Sequence, residues 1–165
     1  MDLREIVLGT RDTIAGTVYG TIVVLSVLTA GAPAFEHGEW KLVVLGAVTV
    51  LVFWLAHVYA HVLGESVREG HRLKGGEIAA VARRELAIPL AAVLPMSAVA
   101  LGAIGVLETS TALWIAVGIG VAILTIEGIR YARLERLSPL GTFASVGLNL
   151  AFGLILVVLK ATLSH

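Results

Sequence analysis

Five apolar stretches of membrane-crossing length divide the chain, at residues 13–32, 40–63, 86–107, 111–129 and 140–159. A helix needs about 20 mostly apolar residues to cross the hydrocarbon of a bilayer. The pattern therefore predicts an all-α fold, a polytopic transmembrane bundle of five helices forming one domain over residues 1–165. The fourth stretch is the least regular, because Glu127 falls near its end. Between the second and third, the segment 65–85 is charged and broken by Gly70, Gly75 and Gly76, and residues 77–85 read as a short amphipathic helix.

The polar positions between the stretches set an orientation. Arg4 and Arg11 precede the first stretch, and Arg68, Arg72, Lys74, Arg83 and Arg84 follow the second. Arg130, Arg133 and Arg136 separate the fourth from the fifth, whereas the opposite loops carry only Glu36, Glu39, Lys41 and Glu108. Lys and Arg collect on the cytoplasmic side of short loops. The N-terminus is thus expected in the cytoplasm and the C-terminus outside, in a bacterial inner (plasma) membrane. The first stretch is too long for a cleaved signal peptide and is expected to be retained.

Small residues recur at helical spacing within these stretches: Gly16/Gly20, Ala98/Gly102, Gly118/Ala122 and Gly141/Ser145. Such pairs let helix backbones approach closely in lipid. Pro89 and Pro95 each remove a backbone donor from the third stretch and favour a bend there, while Pro139 after Ser138 suits a helix start. Composition agrees with a membrane protein: 58% of residues are hydrophobic and only 15% charged. The balance of 12 basic and 12 acidic residues gives no footprint for nucleic acid, and the absence of cysteine excludes disulfides, thiolate metal sites and iron–sulfur clusters.

The candidate chemistry lies in the run Phe-Trp-Leu-Ala-His-Val-Tyr-Ala-His-Val-Leu-Gly-Glu at 53–65. It sets His57, His61 and Glu65 four residues apart, on one helical face at steps of about 6 Å. Ionisable side chains are expensive in hydrocarbon and face a bundle interior or a water-filled path, and two imidazoles with a carboxylate can bind a divalent metal or pass protons. Asp12, at the same expected depth on the first helix, can converge on His61 and Glu65 if the two helices are neighbours. Each residue also has a plainer role: Glu65 can pair with Arg68 or Arg11, Asp12 can cap its helix, and either histidine can be a packed imidazole bonded to another helix. Glu127 and Arg130 read as an ion pair, and Asn149 as a helix-to-helix hydrogen-bonding group. Haem is disfavoured, since two histidines four apart on one helix cannot take opposite axial positions on one iron.

Two short runs carry a resemblance. Leu8-Gly9-Thr10-Arg11-Asp12-Thr13 resembles the Leu-Gly-x-x-Asp-Gly signature of the vacuolar iron transporter family. Ala60-His61-Val62-Leu63-Gly64-Glu65-Ser66 is similar to its Ser-Met-x-x-Gly-Glu-Tyr stretch, and Leu94-Pro95 and the segment Arg133 to Leu140 are similar to parts of its C-terminal half. The resemblance implies a homodimer that exports a divalent metal ion from the cytoplasm in exchange for protons, with the ion between the first two helices. Asp12 and Glu65 fall on the family's metal-binding acids, and His61 stands where the family has methionine. Imidazole in place of thioether favours zinc, cobalt or nickel beside iron and manganese. His57 has no counterpart and would serve as a ligand or proton relay. Thr13 replaces the motif glycine, and the family's long acidic insert between the second and third spans is cut to residues 65–85, with Glu69, Glu77 and Glu85 as remnants. The expected protein is therefore a divalent-metal/proton antiporter with Asp12, His57, His61 and Glu65 at the metal. It carries no prosthetic group and no enzymatic activity. The rival expectations are a structural or accessory membrane protein that keeps the fold without transport, and a proton-coupled carrier of another small solute.

Overall fold

The computed structural model describes residues 11–31 and 39–163. The Leu8-Gly9-Thr10 part of the first motif, together with Arg4, Glu36, His37 and His165, lies outside them. The described residues form six helices and no strand: α1 (Arg11–Gly31), α2 (Glu39–Glu69), α3 (Gly75–Arg84), α4 (Ala87–Ala103), α5 (Thr109–Leu134) and α6 (Pro139–Leu163). Each of the five apolar stretches carries a helix among the described residues, the third ending at Ala103, short of the expected residue 107, before the left-handed Gly105; the short helix expected at 77–85 is α3. Three helices, α1, α2 and α5, are each long and apolar enough to cross a membrane, and α3 with α4 makes a fourth if that pair, bent by 43°, is one span.

α2 runs six residues past the expected boundary at Leu63. Its 31 residues measure about 46 Å at 1.5 Å per residue, well beyond a hydrocarbon core of about 30 Å. Gly64 has open space where a Cβ would stand, and the helix continues through it. The stop is Gly70, whose φ of +71° is the left-handed conformation of a helix-terminating glycine and whose N–H reaches back to the Ser66 carbonyl. α3 restarts the chain with the Glu77 carboxylate accepting the Lys74 N–H. Later in the chain, Ser138 Oγ accepts the Gly141 N–H at 3.2 Å, so α6 begins at Pro139 as its sequence suggests.

α1 is the central helix, packed against α2, α4, α5 and α6. Its Val24, Leu25 and Leu28 are fully buried and join Leu42, Val50, Val99, Leu113 and Ala116 in one core cluster. The polar residues of α1 are accommodated locally. Thr17, Thr21, Ser26 and Thr29 each donate to the carbonyl four residues back, at 2.7–2.8 Å, so a buried hydroxyl such as Thr29 leaves no donor unmatched. α6 is fastened to α5 where Ser145 Oγ donates to the Gly128 carbonyl at 3.2 Å and Asn149 covers the same glycine. The expected helix-bridging region around Asn149 thus lies on the α5–α6 seam.

Close helix crossings explain some of the small residues and not others. A Cβ on Gly20 would stand 2.2 Å from the Ile88 carbonyl oxygen, and one on Gly16 3.0 Å from Ala87 Cβ, so the first pair forms the α1–α4 seam. Gly102 lies equally close to Ala112. Gly118 has open space around it, whereas Gly120, two residues on, receives the buried Leu25 side chain at 2.3 Å from an added Cβ. Gly118→Ala is therefore expected to leave thermal stability unchanged or raise it by up to about 1 kcal/mol through helix propensity. Gly120→Ala should lower it by about 1–3 kcal/mol through overpacking. Parallel thermal melts in detergent would check the pair, and equal effects would mean that this seam does not form.

Candidate metal centre

His57, His61 and Glu65 share one face near the C-terminal end of α2, as their spacing requires. The two imidazole rings stand 4.8 Å apart and tilted by 37°. Tyr19 of α1 stacks on His57 with ring centroids 5.3 Å apart and meets Phe53 edge-on at 6.3 Å. One face of the His57 ring is therefore walled by α1, which limits its rotation.

The carboxylate that reaches both imidazoles is Glu85. It sits at the elbow where α3 ends and α4 begins, with its N–H on the Val81 carbonyl and its own carbonyl receiving the Ile88 N–H. Oε2 lies 3.5 Å from His57 Nε2, and Oε1 lies 3.7 Å from His61 Nδ1. Both distances exceed those of direct hydrogen bonds, about 2.7–3.2 Å. They are close to the separation of about 3.4 Å between two donors that hold one tetrahedral ion at about 2.1 Å each. One donor atom from each of the three residues lies within 4.8 Å of the others. The Glu85 side chain is 5% exposed, against 35% for His57 and 42% for His61. A buried carboxylate thus forms the floor and two half-open rings the rim, which leaves room for further ligands on the open side.

Glu65, one turn beyond His61, is engaged differently. Arg84 Nη2 donates to its Oε1 at 2.7 Å, and Arg84 Nε lies 3.6 Å from Glu85 Oε1. Arg84 reaches Glu65 because the α2–α3 turn folds it back beside α2. The hydrogen bond to Glu65 holds the Arg84 guanidinium above its ordinary value, so it is a fixed cation bridging the two carboxylates. Asp12 lies in the first turn of α1 as described, within the helix rather than ahead of it. It lines a cavity of about 600 Å³ together with His57, His61, Glu65, Arg68 and Arg84. All four residues expected at the metal therefore border one volume, and Glu85 meets that group from behind, through the two imidazoles and Arg84.

Glu85 stands out little in the sequence, as one more acid in a charged segment ahead of an apolar run. Beyond its place among the remnants of the acidic insert, its signal is position, since an acid closing an amphipathic helix at the edge of a span is drawn inward with the helix that follows. A second convergence, Glu69, His71 and Glu77, lies at the α2–α3 turn with all three side chains exposed. Glu127 and Arg130 form the expected ion pair on α5, but it is an inward one: the Glu127 side chain is 5% exposed. Comparison with known protein families, characterised proteins and solved structures finds no match to this chain.

Proposed function

We propose that the chain is a divalent-metal/proton antiporter of an inner membrane. Five spans, α1, α2, α4, α5 and α6, cross the bilayer with the N-terminus cytoplasmic, and α3 lies along the cytoplasmic surface. The observation that carries the reading is the convergence of His57, His61 and Glu85, two imidazoles and an acid from opposite sides of the α2–α3 turn, at the end of an apolar helix. Imidazole and carboxylate together favour a first-row transition ion such as zinc, iron, manganese or cobalt over calcium. In this reading His57, His61 and Glu85 hold the substrate ion, and Asp12 and Glu65 supply negative charge in the cavity that both imidazoles border. Arg84 balances that charge until the ion arrives. The long apolar face of α2, with Val44, Val48, Leu51, Val52, Leu55 and Tyr59 exposed, would meet lipid or the second copy of a homodimer.

Purified protein in liposomes is expected to move zinc, iron or manganese down an applied gradient with counterflow of protons, and His61→Ala should reduce the flux about tenfold or more, the order that even outer ligand partners contribute. Undiminished flux in His61→Ala would remove this site, and no flux of any of these metals in the wild type would remove the function.

Arg84 favours a second reading. Its contacts to both Glu65 and Glu85 already offset part of their charge, as in a structural ion-pair network of a non-transporting membrane protein. That reading predicts no stoichiometric metal by elemental analysis and tolerance of substitutions at His61.

A further inference from the structure

Glu127 belongs to no part of the metal centre, yet it is an acid buried in the bundle. Arg130, one turn on, pairs with Oε1, while the buried Oε2 has no hydrogen-bond partner among the described residues. The carboxylate lines a cavity of about 320 Å³ between α1, α4 and α5, bordered by Thr13 and Thr17 and by apolar residues including Leu90, Leu94 and Ile123. A carboxylate oxygen left bare in apolar surroundings is strongly disfavoured as a charge, and taking up a proton relieves that penalty. Thr17 Oγ1 spends its own proton on the Thr13 carbonyl, which leaves its lone pairs free to accept.

The charges around Glu127 are few. On its own helix there is Arg130. α1 and α4 bring to the cavity the two threonines and apolar side chains, and α6 meets the neighbouring Gly128 with Ser145 and Asn149, both uncharged. No second titratable group lines the cavity among the described residues.

Its position relative to the metal centre is the second observation. At about 100° per residue, Asp12 and Tyr19 fall on one side of α1, Thr13 and Thr17 on another, and Gly16 and Gly20 between them. The glycine strip is the seam against Ala87 and Ile88, which directly follow the elbow that carries Glu85. The two cavities therefore flank one tight crossing of α1 and α4, with the histidines and Glu85 on one side and Glu127 on the other.

We propose that Glu127 and the cavity it lines are a proton-binding site, separate from the metal centre and joined to it through the α1–α4 seam. As a proton site it stands on this geometry; as the proton side of an exchange it rests on the antiport reading.

The test is pH-difference infrared spectroscopy of the full-length protein in lipid vesicles without added metal. A protonated-carboxyl band that titrates, shifts in Glu127→Asp and vanishes in Glu127→Gln is the expected result. A band identical in all three proteins, or none in the wild type at any pH, would overturn the proposal. Glu127→Asp retains the ion pair to Arg130 and so guards against a misfolded glutamine variant. Metal-driven proton release in liposomes separates the two ideas, with a loss of about 100-fold or more expected in Glu127→Gln for a group whose proton transfer matters. Wild-type vesicles that move no metal but show the band would sink the antiport reading alone. Full proton-coupled flux in Glu127→Gln would overturn the joining of this site to the metal centre.

Discussion

Gly20→Ala is expected to destabilise the protein more than any other single methyl addition in α1. The added Cβ would stand 2.2 Å from the Ile88 carbonyl oxygen and 2.9 Å from Ile88 C and Cα. All three are backbone atoms, so no side-chain rotation can relieve the clash. Either α1 and α4 separate by about an ångström or α4 slides along its axis. Both choices disturb the central helix, whose Leu25 and Leu28 are fully buried beyond the crossing, in an interior packed too densely to absorb the shift locally. A cost of about 3 kcal/mol or more follows, at the upper end of overpacking penalties, against a total stability of about 5–15 kcal/mol for a typical domain. The variant should elute as an aggregate or melt far below the wild type. Gly16→Ala provides the internal scale. Its nearest obstacle is the Ala87 Cβ at 3.0 Å, a contact that a few tenths of an ångström relieve, and its loss should be about 1 kcal/mol. A thermal melt that ranks Gly16→Ala below Gly20→Ala would place the seam elsewhere.

That seam was half visible in the sequence. The Gly16/Gly20 spacing marks a close approach but cannot name the helix that approaches, and Gly118/Ala122, with the same spacing, meets no close neighbour at Gly118. The difference lies in which face each helix turns to its neighbours, a tertiary choice that a four-residue repeat does not encode. Helix positions were legible because apolar length alone dictates them. The end of α2 shows the limit of that rule: the apolar stretch closes at Leu63, but the helix carries its charged residues on to Glu69 and stops at Gly70, one of the glycines that break the charged segment. At the metal centre, the rows on single helices were legible because helical periodicity brings His57, His61 and Glu65 to one face. Glu85 was not, since it lies 24 residues beyond His61 and reaches it only through the α2–α3 turn and the bend into α4. Glu127 was legible as the partner of Arg130 but not as a buried group, because the inward side of α5 is decided by packing against α1 and α4.

The acid that matters for metal is therefore expected to be Glu85 and not Glu65, although Glu65 has the more suggestive spacing. Glu85→Gln keeps the shape of the side chain and its place in the elbow but replaces an anionic oxygen donor with a neutral amide. Glutamine offers one carbonyl oxygen, and the two contacts of 3.5 and 3.7 Å to His57 and His61 use both oxygens of the acid. Removing the negative charge also leaves two imidazoles facing a divalent cation with no counter-charge in the buried floor. Affinity for zinc or cobalt should drop by about 100-fold or more, since even the outer partners of metal ligands contribute about 10–100-fold. Glu65→Gln removes a half-exposed carboxylate that Arg84 already occupies at 2.7 Å. Its direct effect on affinity should stay within a few-fold, of the size of an exposed ion pair. Isothermal titration with each metal, alongside circular dichroism to establish folding, decides between the two acids. Equal losses in both variants would mean that Arg84 releases Glu65 when the ion enters, and a larger loss in Glu65→Gln would return the centre to the α2 row alone.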